Sequence, residues 1–335
     1  MQYIKKQILS STSKKIFYLG FIFLLVCGLN ISSSFAQSWP SQTLKIIVPY
    51  PPGGAIDAMI RVLAPKLEEQ LKQPVIIENK PGAGGVVGTI AAKRMTDGHT
   101  LLMTAMGHVI APQLNDEVAY DALEDFQAIS PVALVPNVVV VPIDSPYESI
   151  QDIIDAARAA PGKLTYGSAG TGSSLHMAPT MFAAMADISM THVPYRGSAP
   201  AINDLIAGRI DMLFDSSTSA APHLVGDAKL RALAVATSER SRAFPDLPTI
   251  KEAGVSDYSV DWWYGLLAPA DFPAEYIEKI STIVQQSLKD PEIQANFDHL
   301  KIDPLFLSTP DFQQKIEQDA QIWEETIDEL GIQAN

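Results

Sequence analysis

Short apolar runs and amphipathic repeats alternate along most of the chain. The run LKIIVPY at 44–50 ends in turn residues, and apolar side chains then recur every three or four positions, at Ile56, Met59, Ile60, Leu63, Leu67 and Leu71. This pattern predicts a strand, a tight turn and an amphipathic helix. The strand PVIIE, the loop NKPGAGG and a helix at 86–95 repeat the unit. The alternation predicts an α/β fold, in which helices cover both faces of mainly parallel sheets.

Two longer apolar segments interrupt this alternation. They are ISPVALVPNVVVVP at 129–142, which contains Pro136, and VDWWYGLLAP at 260–269. A proline is unusual in a central strand, so we predict that the chain crosses there into a second lobe and later returns. The first lobe is then residues 37–139 and 263–335, and residues 140–262 form an inserted second lobe.

The N-terminal segment has the pattern of an export signal. Four lysines between positions 5 and 15 precede the apolar run IFYLGFIFLLVCGL, and Ser34 and Ala36 match the small residues of a signal peptidase site. We predict a signal peptide at 1–36 and a periplasmic mature protein. An uncleaved membrane anchor is the alternative. A lipoprotein site at Cys27 is disfavoured because Val26 is bulky.

Composition narrows the class of protein further. The chain has 335 residues, of which 47% are hydrophobic and 19% charged, which suits one or two folded domains. Loss of the four leader lysines changes the net charge from −14 to −18. Such acidity disfavours nucleic acid or an anionic membrane as partner. Because Cys27 is the only cysteine, we predict a mature protein without disulfides or thiol chemistry.

The first turn, VPYPPGGAID, has the composition of an anion-binding loop. A helix that begins after a strand presents unpaired backbone N–H groups and the positive end of its dipole. Glycines let a carboxylate approach the backbone closely, and prolines stiffen the loop. We predict ligand contacts at Pro52, Gly53, Gly54 and Ala55. Asp57 either caps the helix, holds the loop or binds a ligand ammonium group.

The segment GSAGTGSSLH at 167–176 repeats this design in the second lobe. A strand leads through glycines and hydroxyl residues to the start of a helix, and the candidate ligand contacts are Ser168, Gly170, Thr171, Gly172 and Ser173. Exposed N–H groups together with hydroxyl donors predict a second anion site. An ordinary helix cap at Ser173 or Ser174 is the alternative and is compatible with binding.

Catalytic and cofactor motifs are not found. Tyr166 and Thr171 occupy the first glycine position of a G-x-S-x-G frame, and Val87 breaks a dinucleotide-type glycine pattern. The histidines form no H-x-x-x-H pair. We predict no enzyme activity, no metal and no cofactor. A hydrolase or isomerase that uses His176 and Asp215 is the remote alternative.

Six segments carry a resemblance to a known family. They are WPSQTLKIIVPYPPGGAID, VIIENKPGAGG, LTYGSAGTGSSLH, THVPYRGSAPAINDLIAGRIDMLFD, LRALAVATSERSRAFPDLPTIKEAG and WYGLLAPADFPA. In this order they resemble the Bug family of periplasmic solute-binding proteins, the receptor components of tripartite tricarboxylate transporters. The resemblance extends from about residue 39 to 331. It implies a two-lobed flytrap that holds a small carboxylate between its lobes.

The resemblance and the predicted strand ends add further ligand contacts. These are Ala83 and Gly84 through the backbone, Thr104 and Gly107 at the end of the third strand, and His176, Tyr195, Asp215 and Ser216 in the second lobe. The alternative for the loop of Ala83 and Gly84 is a tight turn that lets a helix pack closely on the sheet. Asp215 is expected to meet a ligand ammonium group or a water, or else to anchor a helix. We expect Arg196 to face solvent and the aromatic cluster at 262–264 to pack between the lobes.

Two positions depart from the family pattern. Ile56 replaces a usual hydroxyl residue, and Thr171 stands where many relatives have asparagine. The identity of the carboxylate therefore stays open. We predict a monomeric receptor that delivers a small carboxylic acid to membrane permease subunits. A receptor for a two-component sensor kinase is the alternative.

Overall fold

The computed structural model describes residues 39–332, so the predicted signal peptide lies outside the described residues. The strands are β1 (Leu44–Val48), β2 (Val75–Asn79), β3 (Thr100–Ala105), β4 (Phe126–Leu134), β5 (Asn137–Pro142), β6 (Thr165–Ser168), β7 (Thr191–Pro194), β8 (Met212–Ser216), β9 (Leu230–Val235), β10 (Trp263–Pro269) and β11 (Asp303–Pro304).

The helices are α1 (Ala55–Leu71), α2 (Val86–Lys93), α3 (Gly107–Leu114), α4 (Ile150–Ala159), α5 (Ser174–Met185), α6 (Ser198–Ile206), α7 (Ser217–Ala220), α8 (Ala274–Ser287), α9 (Pro291–Leu300) and α10 (Thr309–Leu330). Short 3-10 turns lie at Ala83–Gly85 and Ala221–His223. Among the helices of residues 39–332, none has the length and apolar character that a membrane crossing requires.

The strands form two mixed sheets rather than mainly parallel ones, because the crossing strands pair antiparallel with their neighbours. The first has the order β11-β4-β10-β3-β1-β2 and the second β7-β6-β8-β5-β9. β1 runs parallel to β2 and β3, and β6 runs parallel to β7 and β8. The strands next to the crossings, β4, β5, β9 and β10, pair antiparallel. Each sheet thus combines a parallel half, built from strand–helix units, with an antiparallel half built from crossing strands.

The chain changes sheets at Val135 and Pro136. β4 ends at Leu134 in the first sheet and β5 begins at Asn137 in the second. Pro136 has no N–H to donate to a ladder, so it suits this gap between strands. Its carbonyl accepts a hydrogen bond from the Ser217 N–H at 2.8 Å. The return occurs between β9 and β10, so the two sheets are joined by more than one crossing.

Burial follows the periodicity for the long elements. The α1 residues that recur every three or four positions, from Ile56 to Leu71, are all buried, which confirms the amphipathic helix. Every residue of β3 is buried. Sequence periodicity did not predict α3 or α9. α3 has eight residues with Pro112 inside it, and α9 begins with an Asp290 cap and Pro291, a local start signal that does not depend on periodicity.

Candidate functional site

Five helices of eight or more residues begin without a side-chain cap where parallel strands end, and the four-residue α7 after β8 is likewise uncapped. α1, α2 and α3 follow β1, β2 and β3, and α5 and α6 follow β6 and β7; their N-cap residues are Gly54, Gly85, Met106, Ser173 and Gly197. In contrast, Ser149, Asp290 and Ser308 cap α4, α9 and α10. α8, which follows the antiparallel β10, also has no side-chain cap. Uncapped first turns leave backbone N–H donors and helix dipoles for an anion.

The buried carboxylate of Asp57 holds the first candidate loop, VPYPPGGAID at 48–57, through hydrogen bonds. Asp57 Oδ2 accepts from the Gly53 N–H at 2.9 Å and from Arg61 Nε at 2.8 Å, and Oδ1 accepts from Asn79 Nδ2 at 3.0 Å. Asn79 Nδ2 also donates to the Tyr50 carbonyl at 3.1 Å. The bond from Arg61 is the main reason that the pKa of Asp57 falls to about 2. Asp57 therefore holds the loop, one of the roles predicted for it.

The substitution Asp57→Asn tests this role. An amide replaces a charged acceptor shared by Gly53 and Arg61, so we expect the free energy of unfolding to fall by about 2 kcal/mol at pH 7. The folded pKa of Asp57 lies below its unfolded value. Its stabilisation is therefore full above the unfolded pKa, about 3.9, and is lost as the pH falls through about 2.

Urea unfolding between pH 2 and pH 7 measures this effect. Asp116→Asn, at an exposed carboxyl, is the matched control and should change stability by less than about 0.5 kcal/mol. Equal losses for the two variants would contradict the role of Asp57.

His176 and His192 hold the second candidate loop, GSAGTGSSLH at 167–176, through hydrogen bonds. The Gly172 N–H donates to His176 Nδ1 at 3.2 Å. The Gly170 N–H donates to Ser168 Oγ at 3.1 Å, and that oxygen lies 2.6 Å from His192 Nε2. The imidazole centroids of His176 and His192 are 4.3 Å apart. Burial lowers the pKa of His192, and burial followed by the charge of His192 lowers that of His176 to about 4. Both rings are therefore neutral at pH 7.

Glycine geometry brings the second loop against the first lobe. Gly170 and Gly172 have φ values of +112° and +79°, which side-chain-bearing residues rarely adopt. A Cβ on Gly172 would lie 2.7 Å from Leu114 Cδ1, at the end of α3. The Ser173 hydroxyl donates to the Gly170 carbonyl at 2.6 Å and does not cap α5. The hydroxyl closes the loop and leaves the first N–H groups of α5 without a side-chain acceptor.

The predicted contacts at the other strand ends of the second lobe are engaged within the protein. The Tyr195 hydroxyl donates to Asp204 Oδ2 at 2.9 Å. Asp215 is completely buried, and its Oδ1 accepts from the hydroxyls of Ser198 at 2.6 Å and Ser219 at 2.8 Å. Burial raises the pKa of Asp215. These bonds tie α6 and α7 to β8, which agrees with the anchoring role considered for Asp215.

The remaining predicted contacts occupy varied environments. The exposed residues are Pro52, Gly53, Gly54, Ala83 and Gly84; the half-buried ones are Ala55, Gly107, Thr171 and Ser216. The Ser216 hydroxyl lies 2.6 Å from Thr218 Oγ1. Thr104 is buried, and Arg196 is exposed, as expected. His176 and Asp215, the pair of the enzyme alternative, each form hydrogen bonds with other groups, and Asp215 Oδ2 has no hydrogen-bond partner among residues 39–332.

An aromatic side chain that the sequence analysis did not single out joins the first-lobe loops. Burial raises the pKa of Tyr50 to about 12, and a hydrogen bond with Thr104 acts in the opposite direction. A Cβ on Gly85 would lie 3.2 Å from the Tyr50 hydroxyl, and one on Gly107 3.5 Å away. Two glycines thus make room for one tyrosine. Its place in VPYPP, at the end of β1, was the available signal.

Of the aromatic cluster at 262–264 that was expected to pack between the lobes, Trp263 packs within the first lobe. Trp263 lies edge-on to Phe312 of α10, with ring centroids 5.2 Å apart, and its indole N–H donates to Asp319 Oδ2 at 2.9 Å. This arrangement follows from its place on β10, which lies between β3 and β4 in the first sheet. In residues 39–332, no cluster of three or more His, Cys, Asp or Glu side chains is arranged to hold a metal ion.

Two α/β sheets joined by crossing strands, with uncapped helices at their parallel edges, give this chain the fold of the periplasmic binding proteins. The periplasmic binding protein BugD has 29% sequence identity and a TM-score of 0.75, with 89% of this chain and 100% of that chain covered. R. palustris Rpa4515 with adipate has 31% identity and a TM-score of 0.78 over the same shares. The predicted α/β flytrap fold is confirmed.

Sequence comparison then identifies the family. The family model described as "Tripartite tricarboxylate transporter family receptor" matches residues 59–332. Protein BugT of Bordetella pertussis is 32% identical over 314 residues, which cover 92% of this chain and 95% of BugT. The chain belongs to the tripartite tricarboxylate transporter receptors, a family of periplasmic solute-binding proteins, and the resemblance to the Bug proteins is confirmed.

Proposed function

We propose that this protein captures a small carboxylic acid between two lobes and delivers it to the permease of a tripartite tricarboxylate transporter. The observation that carries this proposal is the set of five uncapped helix starts at the parallel edges of both sheets. Backbone donors and helix dipoles bind carboxylates without a buried cation. R. palustris Rpa4515 with adipate, a solved relative, agrees with this ligand class.

Capture follows from the way the two loops are held. Asp57 fixes the first loop and the neutral histidines fix the second, so the donors are ordered before the ligand arrives. Such preorganisation lowers the entropy lost on binding. Closure of the lobes removes water from the donors and strengthens their attraction for the anion. The ligand therefore favours the closed state in proportion to its differential affinity.

The proposal includes the predicted organisation of the chain. A signal peptide at 1–36 directs export, residues 37–139 and 263–335 form the first lobe, and residues 140–262 form the second. The mature protein acts as a monomer in the periplasm. Predicted ligand contacts are the backbone groups of Ala55, Gly84 and Gly172, together with the other contacts named at the two loops and at the strand ends, Thr104, Gly107, Tyr195, Asp215 and Ser216.

A thermal-shift screen tests the ligand class. The mature protein is refolded free of co-purified ligand and mixed with adipate, malate and other small carboxylates, or with the matching amides and amines. A carboxylate at one hundred times its dissociation constant should add about 2.7 kcal/mol of stability and raise the melting temperature. Stabilisation by amides or amines alone would contradict the anion site. Uptake of the bound acid into vesicles that contain the permease tests delivery separately.

A further inference from the structure

A cavity of about 890 Å³ lies beside β9 at the edge of the second sheet. We call it the edge groove. Its walls come from β9, the loop at 224–228, the segment 243–247 and the end of α9 at 299–301. None of the predicted ligand contacts lines it. The volume falls within the range of small-molecule sites, about 300 to 1,000 Å³.

The walls of the edge groove are mainly apolar. Leu224, Val225, Phe244 and Leu247 line it, and Ile143 lies at its side. Val225 is 68% exposed and Ile143 is 45% exposed. Burial of such side chains by an apolar body releases water and is favourable, at roughly 25 cal/mol per Å². The groove therefore offers apolar surface that an occupant can cover.

The charged groups of the edge groove are mostly cationic. Arg231 is fixed by bonds to the carbonyls of Ile143, Ser145 and Tyr147 at 2.8–3.2 Å. Lys301 Nζ lies 6.0 Å from the centre of the Phe244 ring, and no carboxylate among residues 39–332 forms an ion pair with it. The acidic residue of the lining is Asp246.

These charges contrast with the chain as a whole. The chain has a net charge of −14, whereas this cavity carries two permanent cations against one acid. A carboxylate near Lys301 would gain a charge-assisted bond that the apolar walls shield from water.

We propose that the edge groove binds a monocarboxylic acid with an apolar body. The carboxylate pairs with Lys301, and the body packs against Val225, Phe244 and Leu247. The site is distinct from the proposed carboxylate cleft, because it binds through one cation and apolar contact rather than through helix N-termini. The Lys301 carbonyl accepts from Ser217 Oγ at 2.5 Å, and the chain enters β11 of the first sheet two residues later.

Calorimetric titration with octanoate and with 1-octanol tests this site. The two probes share an apolar body and differ in charge, so octanoate should bind at least about tenfold more tightly. Lys301→Gln and Val225→Asp should each weaken octanoate at least about tenfold. Lys229→Gln is the matched control, since Lys229 is exposed, pairs with Asp227 and lies outside the lining. This variant should bind octanoate as tightly as the wild type does.

Methyl NMR locates the probe. Octanoate should shift the signals of Leu224, Val225 and Leu247, and leave those of Leu114 and Leu175 beside the second candidate loop unchanged. The proposal is overturned if octanoate does not bind, if octanol binds as tightly, if Lys301→Gln has no effect, or if only Leu114 and Leu175 respond. Failure of the thermal-shift screen with short acids would count against the cleft alone, because none of the predicted ligand contacts lines the groove.

Discussion

Gly88→Ala should lower the free energy of unfolding by about 3 kcal/mol. Gly88 is buried in α2, where a Cβ would lie 2.6 Å from the Pro49 Cα and 2.7 Å from the Lys80 carbonyl oxygen. Both clashing groups belong to the backbone, so neither can rotate away. Relief requires α2 to move off the segments that lead into the two first-lobe loops. We therefore also expect weaker binding of the best carboxylate in the folded protein.

Denaturant unfolding and calorimetry measure the two effects. Gly208→Ala is the matched control, because a Cβ there meets nothing within 4 Å although φ is +66°. It should cost only about 1 kcal/mol, the strain of a left-handed residue, and leave ligand affinity unchanged. A loss for Gly88→Ala no larger than that of Gly208→Ala would refute the close packing of α2.

Acidification should weaken ligand binding through the second loop. His176 Nδ1 accepts the Gly172 N–H only while that nitrogen is unprotonated. Protonation replaces the acceptor with a donor and places a charge 4.3 Å from the neighbouring His192 ring. Since the pKa of His176 is lowered to about 4, we expect the loop to be released as the pH falls through about 4. Affinity should then fall about tenfold beyond the effect of ligand protonation.

Protonation of His176 is also expected to lower the stability of the folded protein. The unfolded pKa of His176 is about 6.5, above its folded value, so the unfolded chain takes up the proton first. Stability should therefore decrease as the pH falls from 6.5 towards 4. Buried His108, whose pKa burial also lowers to about 4, contributes in the same direction. The pH dependence of ligand affinity, rather than that of stability, therefore distinguishes the role of His176 from that of His108.

Two variants isolate the acceptor in this experiment. His176→Asn places an oxygen near the position of Nδ1 and does not titrate, so its affinity should be less sensitive to acid than that of the wild type. His176→Phe keeps a ring but removes the acceptor, and should bind weakly at every pH. Ligand protonation affects all three proteins equally. Identical pH profiles for the wild type and His176→Asn would show that His176 does not control the loop.

Much of the fold was predictable because its signals are local. The apolar spacing in α1, from Ile56 to Leu71, indicated both a helix and its buried face. The glycines before α1 and α5 marked the turns that carry the candidate donors. α3 was missed for a physical reason: a helix of eight residues with Pro112 inside it has little periodicity to detect.

The supports of the candidate site were less predictable, because their partners are distant in sequence. Nothing near His192 indicates a bond to Ser168, 24 residues away. Asn79 lies 22 residues from Asp57, yet its amide helps to hold the same loop. The sequence left three roles open for Asp57, and the contacts with Gly53 and Arg61 are those that loop support requires.

The sequence by itself determined the strand–turn–helix units, the glycine turns and the family, since these depend on residues that are neighbours along the chain. Tertiary structure alone decided which groups hold the loops, how the two sheets share crossing strands, and where Trp263 packs. The physical reason is that hydrogen bonds and close packing join residues whose separation along the chain carries no periodic signal. His176 and His192 come into contact next to Gly170 and Gly172 only because β7, which carries His192, pairs with β6.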